Sequence, residues 1–345
     1  MRLQSNAGDT RVTGARHRRR SRRTIVTSTG IALLASMVVY VSASAYVYNR
    51  LSQVRPCRGS ADGNTPASFH LVNDLTNEPI DVAPYLMPTA EDVRFASRGA
   101  PYIQIAAWWI PAEDGRRAPV VILVHGQNSC RHEPEILLAA GMLHRHGYAT
   151  LLIDLRGHGD STVEDGRCSA GSKEYLDALG AFDWLRSRGI PSTSIGIAGM
   201  SMGAAVAINA AGEEPGLAAL WEDSAFADVP GIVRDELAHH GSPTALEPGA
   251  LLLGKVISGY DLAAHSPLAE IAKVAGRPVF VTHGGADSLI SPRYAEALAA
   301  TVRANGGSVS PWIVEGAEHT RAITIDTALY ETNLDAFFDA ALVRP

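Results

Sequence analysis

Residues 195–205 read Ile-Gly-Ile-Ala-Gly-Met-Ser-Met-Gly-Ala-Ala, with Ser201 near the centre. The run Ile195-Gly196-Ile197 leads in as a short strand, and the small residues Ala204 to Ile208 lead out as a helix, so the stretch is a strand-to-helix junction. Gly199 and Gly203 stand two residues to either side of Ser201, the spacing of a nucleophile elbow. Such a turn strains the central residue and brings strand and helix too close for side chains at the flanking positions. Ser201 then projects above the sheet. The Met202 amide, at the helix start, faces any negative charge that develops beside it.

Working outward, a serine hydroxyl attacks only when a base takes its proton, and that base works best when a carboxylate fixes its tautomer. Asp287 lies in Thr-His-Gly-Gly-Ala-Asp-Ser (282–288) and His319 in Val-Glu-Gly-Ala-Glu-His-Thr (314–320), each just past an apolar run. The order is serine, acid, histidine. Asp223 is an alternative acid, and His283, on a strand end, reads as structural. The second donor to an oxyanion is expected after the first buried strand, where Gly126 lets the backbone approach and Gln127 supplies the amide. Met200, Leu289 and Ile290 are candidates to line an acyl pocket.

The rest of the body alternates strand and helix patterns. Residues 91–97 and 102–110 read as a leading hairpin, while 119–125 and 148–154 are continuous apolar runs suited to parallel strands buried on both faces. Helices are expected over 134–146, 173–188, 292–304 and 322–342, and further strands over 217–222, 279–283 and 308–314. This is an α/β class with a mostly parallel sheet and active residues at the strands' C-terminal ends. Between Asp228 and Ser266 the pattern breaks into Pro- and Gly-interrupted apolar sequence, read as an inserted lid, with a plain one-helix crossover as the alternative.

The N-terminal part is different in kind. Residues 1–23 hold eight arginines against Asp9 alone, a net +7, so that the rest carries −13 of the total −6. An acidic body excludes nucleic acid as the expected partner. No charge occurs from Ile25 to Tyr48, long enough to span a bilayer, and the basic flank keeps residues 1–24 on the cytoplasmic side. The expected organisation is a leader (1–24), a membrane anchor (25–48), a linker (49–67) and an extracytoplasmic body (68–345) with its lid near 228–266. Ala43-Ser44-Ala45 has the form of a cleavage site, and Ser21-Arg22-Arg23 resembles a twin-arginine export signal, so secretion after cleavage near Ala45 stands beside the retained anchor.

Three cysteines occur in a chain read as exported. Cys130 and Cys168 follow two strands expected to be neighbours, which predicts a Cys130–Cys168 disulfide and leaves Cys57 over. The histidines, His144 and His146 included, form no metal-binding spacing, and no metal is expected.

The motifs Leu-Val-His-Gly-Gln (123–127), Asp-Leu-Arg-Gly-His-Gly-Asp-Ser (154–161), Gly-Met-Ser-Met-Gly (199–203), Gly-Ala-Asp (285–287) and Glu-His (318–319) together resemble the α/β-hydrolases, in the branch of small serine esterases and serine-aminopeptidase-like hydrolases. The resemblance covers roughly residues 91–343. It implies an eight-stranded, mostly parallel sheet, a lid between the sixth and seventh strands, and acyl transfer to water without a cofactor. Arg156 and His158 then belong to a structural loop. The chain departs from lipases whose oxyanion loop carries a run of glycines, since only Gly126 is present. The expected activity is cleavage of a small-molecule carboxylic ester. Hydrolysis of a short peptide, with Glu236 or Glu247 holding an α-amino group, is an alternative, as is a non-catalytic surface protein on the same scaffold.

Overall fold

The structure is a computed structural model that describes residues 10–57, 61–113, 118–274 and 276–345, with side chains described from Thr27 onward. A long helix, α1 (Thr10–Ser52), comes first. Strands β1 (Glu91–Ser97) and β2 (Ala100–Ile110) form the expected antiparallel hairpin. There follow β3 (Val120–Val124), α2 (Pro134–Arg145), β4 (Ala149–Ile153), α3 (Tyr175–Ser187), β5 (Ile195–Met200), α4 (Met202–Glu213) and β6 (Ala219–Asp223). The chain continues through α5 (Val229–His239), α6 (Glu247–Ser258), α7 (Pro267–Val274), β7 (Val279–Gly284), α8 (Arg293–Ala304), β8 (Trp312–Val314), α9 (Ala322–Ile325) and α10 (Thr327–Ala341).

The eight strands lie in the order β1-β2-β4-β3-β5-β6-β7-β8, antiparallel at β1/β2 and β2/β4 and parallel from there on. Every residue of β3, β4, β5 and β6 is buried, and β3 and β4 read accordingly as apolar runs, while β6 ends in the buried pair Glu222-Asp223. One core, built from Ala178, Val206, Ile271 and Leu298, lies on one face, and a second, from Leu137, Tyr330, Leu334 and Phe338, on the other. Register pairs Val124 with Gly199, Met200 with Asp223 and Gly284 with Val314, so the loops that leave these strands open at one edge.

Three expectations change. β8 is limited to Trp312–Val314 because Pro311, just before it, has no amide to give the ladder. The last helix is divided, since Asp326 leaves the helical conformation (φ −130°) and its side chain caps the Leu329 amide to start α10. The segment after β6 forms two lid helices, α5 and α6, followed by α7 packed on α4, a helix the sequence pattern had not separated.

The expected Cys130–Cys168 disulfide is not formed: Cys57 pairs with Cys130, at a Cα–Cα distance of 5.8 Å, and Cys168 is a buried free thiol. The two loops do share an edge of the sheet, but the end of α1 lies over Cys168. There the Cys168 amide donates to the Ser52 carbonyl and the Val54 amide to the Gly166 carbonyl. That path carries Cys57 to Cys130. Burial pushes the Cys168 thiol up to about 12, leaving it an inert packing group.

α1 is apolar and exposed along its middle, where Ile31, Leu34 and Val38 stand out, and buried at its end, where Ser44, Val47 and Tyr48 pack under the lid. The Tyr40 hydroxyl donates to the Ala245 carbonyl, and Gly249 lies so close to Ser44 and Tyr40 that a Cβ there would collide with both. α6 therefore lies along the last three turns of α1. Thr27–Ser52 is long and apolar enough to cross a membrane by length and composition.

Arg156 is structural, as expected. Its guanidinium bonds the fully buried Asp177 on α3 and the Ser97 hydroxyl on β1, fastening the loop after β4 to both. Removing one partner of such a buried pair leaves an uncompensated charge. Asp177→Ala should cost about 3–5 kcal/mol in urea unfolding followed by circular dichroism; a loss within about 0.5 kcal/mol, as at ordinary surface positions, would show the loop is held by other means.

Candidate active site

Ser201 has φ 57° and ψ −125°, and a left-handed backbone of this kind is strained in a non-glycine residue. It is held there from several sides. The Ser201 amide donates to the Asp223 carbonyl at 2.8 Å, and the Ser201 carbonyl accepts from the Ala204 amide at 2.9 Å. A Cβ on Gly199 would run into the Gly203 backbone, and one on Gly203 into the Val124 and His125 carbonyls. The two glycines are thus required by close approach, as the spacing suggested.

The structure brings Ser201, His319 and Asp287 into one hydrogen-bonded line. His319 Nδ1 lies 2.7 Å from Asp287 Oδ2, and His319 Nε2 lies 2.7 Å from Ser201 Oγ. A carboxylate only accepts, so Nδ1–H donates to it and Nε2 is left to accept the serine proton. Asp287 Oδ1 accepts the amides of Leu289 and Ile290, which aims the other oxygen at the imidazole. Burial on its own would raise the Asp287 carboxyl, but the hydrogen bonds from His283 and His319 outweigh it and hold the group well below the usual carboxylate range.

His283 is more than a core histidine. It is fully buried, its Nε2 lies 2.8 Å from the Ile290 carbonyl and 3.2 Å from Asp287 Oδ2, and it braces the acid from below. Burial disfavours its charged form, but Asp287 and Glu222 overcome this and raise its basicity. Asp223, the alternative acid, instead accepts from the Ser224 and Tyr330 hydroxyls.

On the other side of Ser201, a Cβ on Gly126 would stand 3.2 Å from the Ser201 Cβ, so the loop after β3 approaches the serine closely. Among the described residues the Gln127 amide has no hydrogen-bond partner, and the Met202 amide heads α4. Both residues line the cavity with Ser201. His125 orients this loop. Burial, helped by the neighbouring His158, lowers it to about 3, so it stays neutral, and its Nδ1 lies 2.7 Å from the Gly126 carbonyl while Nε2 accepts the Leu155 amide.

The cavity holds about 440 Å³, and Met200, Leu289 and Ile290 all line it. Its remaining wall was not foreseen. Arg50 and Leu51 from the end of α1, and Arg55 just beyond, complete it on the lid side. Three links tie that segment to the loop after β3: the Gln127 side-chain amide donates to the Leu51 carbonyl at 2.7 Å, the Arg55 amide to Asn128 Oδ1 at 2.8 Å, and Cys57 is bonded to Cys130. In the sequence these residues read as linker, and no local signal points to a cavity. Of the two lid acids, Glu236 lines the cavity, while Glu247 is paired with Arg234 at 2.8 Å away from it.

Glu213, His265 and Glu270 cluster elsewhere with metal-ligand chemistry, but the Lys273 ammonium stands among them, 2.7 Å from Glu213 and 2.8 Å from Glu270, and supplies the cation itself.

A family model described as serine aminopeptidase, S33, matches residues 115–225. No curated protein matches the chain. Among solved structures, the Pyrococcus furiosus esterase Pf2001 is similar with a TM-score of 0.61 and 20% identity over 84% of this chain and 98% of that one. The Pyrococcus horikoshii acylaminoacyl peptidase follows with a TM-score of 0.56 and 19% identity over 73% of this chain and 42% of that one. An alpha/beta hydrolase, GrgF, from Penicillium sp. sh18 has a TM-score of 0.56 and 18% identity over 73% and 98%. Likeness at this level of identity establishes the fold.

Beneath the site, Glu222 is fully buried with only the Ala225 amide on one oxygen, and Oε1 has no partner among the described residues. Burial, against the opposing charge of His283, pushes it up to about 8. The folded state therefore keeps a proton that the unfolded chain releases near pH 4.5, so stability falls as pH rises from about 4.5 to 8 and levels off above. Denaturation midpoints across this range should fall in the parent and stay flatter in Glu222→Gln; parallel curves would show that Glu222 is ionised in the fold.

Proposed function

We propose that this member of the α/β-hydrolase superfamily is a serine hydrolase of carboxylic esters, held at the outer face of a membrane by α1. Ser201 Oγ attacks the acyl carbon as His319 Nε2 takes its proton, and the amides of Gln127 and Met202 receive the oxyanion. His319 then returns the proton to the leaving alkoxide, giving the alcohol and an acyl-serine. Water attacks that acyl-serine by the same route and releases the acid. Asp287 keeps His319 in the tautomer that accepts from serine and stabilises the imidazolium.

The single observation that carries this reading is the 2.7 Å and 2.7 Å line from Ser201 through His319 to Asp287 on a strained elbow. Retention of α1 is supported by the burial of Ser44, Val47 and Tyr48 against the lid, since cleavage near Ala45 would remove Ser44 and Tyr40 from that packing.

A second reading, removal of an aminoacyl group from a peptide or amide, is favoured by Glu236. It lines the cavity, and desolvation there outweighs the charges of His240 and His239 to raise its carboxyl. A bound α-ammonium would add a permanent cation to its one side-chain contact among the described residues, His240 Nε2 at 3.5 Å.

Ser201→Ala should abolish both fluorophosphonate labelling and turnover of a short-chain p-nitrophenyl ester with an unchanged circular dichroism spectrum; retained activity would overturn the assignment. Asp287→Asn should lower kcat by about 10⁴-fold, as expected when the histidine tautomer is lost. A panel of aminoacyl amides against acyl esters separates the two substrate classes, and if amides win, Glu236→Gln should raise KM for them while leaving ester KM unchanged.

A further inference from the structure

Thr27–Ser52 at helical rise is about 39 Å long, whereas the hydrocarbon of a bilayer is about 30 Å thick and takes about 20 residues. A span that begins near Thr27 therefore leaves the hydrocarbon near Tyr46. The lid meets α1 across this level, from Tyr40, about 9 Å below it, to Tyr48, about 3 Å above it. Ala245 is bonded to Tyr40, Gly249 lies on Ser44, and Gly254 lies against Tyr48, so α6 runs parallel to the emerging turns. On its free side α6 exposes Leu252 (63%), Val256 (71%) and Ile257 (54%), an unusual row for a water-facing lid. The exposed Val38, Val39 and Val41 of α1 are apolar because they face lipid on the same reading. Tyr46 stands where aromatic rings collect at a membrane surface.

The cavity reaches the same level. Arg50, one turn beyond Tyr46 and about 6 Å higher along the axis, is exposed at its edge, and Leu51 forms its wall. The ester carbonyls of bilayer lipids also lie at the boundary between acyl chains and headgroups. From this juxtaposition we infer that α6 rests in the outer-leaflet interface with Leu252, Val256 and Ile257 among the lipids, and that the cavity takes acyl esters of membrane amphiphiles directly from that leaflet. The substrate part rests on the serine-hydrolase reading above; the position of α6 does not. The reaction is the one already written: the acyl group passes from the lipid's alcohol to Ser201 and from there to water, releasing a carboxylic acid and a deacylated alcohol.

The test uses the full chain in nanodiscs of phosphatidylcholine and phosphatidylglycerol. Nitroxide labels at Leu252→Cys and Val256→Cys are compared with one at Val163→Cys, an exposed position on the loop after β4. The two lid labels should be more accessible to dissolved oxygen than to a water-soluble nickel chelate, and the Val163 label the reverse. Lid labels that behave like the Val163 label overturn the proposal. So does dipolar broadening at the lid labels with a single chain composition, which would mean that a second copy covers the row.

For the substrate, the triple variant Leu252→Asp, Val256→Asp, Ile257→Asp should lose tenfold or more of its rate on a fluorogenic long-chain diacylglycerol in the same bilayer, while its rate on soluble p-nitrophenyl butyrate stays within twofold. Equal rates on the bilayer ester, or equal losses on both, overturn the lipid-substrate assignment. Failure of the underlying reading looks different: the parent protein would be unlabelled by fluorophosphonate and inactive on both esters, while the nitroxide depths would still decide where α6 lies.

Discussion

The backbone of Ser201 is the constraint on which the rest of the arrangement depends. Its conformation costs on the order of 1–3 kcal/mol and survives because neighbouring strands leave it no alternative. The Ser201 amide is bound to the end of β6, its carbonyl caps α4, and Gly199, Gly203 and Gly126 allow three pieces of backbone to crowd around it. A side chain at Gly199 or Gly203 would collide with backbone, and one at Gly126 would press on the Ser201 side chain. With the serine fixed, His319 and Asp287 need only emerge from the neighbouring strand ends, and parallel pairing of β6, β7 and β8 delivers them there.

A second constraint joins the N-terminal helix to the body. α1 changes character along its length, from apolar and exposed to apolar and buried, without a break in the helix. Its buried end does two things at once. It supports α6 through a contact between small residues at Ser44 and Gly249, and it holds the loop after β3 through Gln127, Asn128 and Cys130. The segment that carries the chain out of its apolar span is therefore also a wall of the candidate site. In this respect the lid, the helix and the loop beside Ser201 form one packed unit, so a disturbance at the emerging turns of α1 has a short path to Gln127.

Much of the site was legible before any coordinates, and for a common reason. Glycines two residues either side of a serine, continuous apolar runs before Gly126, Ser201 and Asp287, and an acid and a histidine past successive strands are all local patterns. Each follows from what one strand end or one turn requires. The cavity residues Met200, Leu289 and Ile290 were legible in the same way, being neighbours of the reacting groups. What was missed lies between segments. The end of α1 reaches Gln127 across more than seventy residues of chain, whereas His283, read as structural, braces Asp287 only four residues on.

The disulfide makes the distinction sharpest. Cys130 and Cys168 do follow neighbouring strands, so their proximity was sound inference from order alone, but pairing depends on which backbone fills the space above them. The end of α1 fills it, covers Cys168 and presents Cys57. Periodicity and turn chemistry along the chain were enough to specify an α/β sheet with Ser201 on a turn at its edge, because these depend on residues a few positions apart. Packing alone chose the cysteine partner, the wall of the cavity and the seat of the lid, because each depends on which distant surfaces fit together once the sheet has formed.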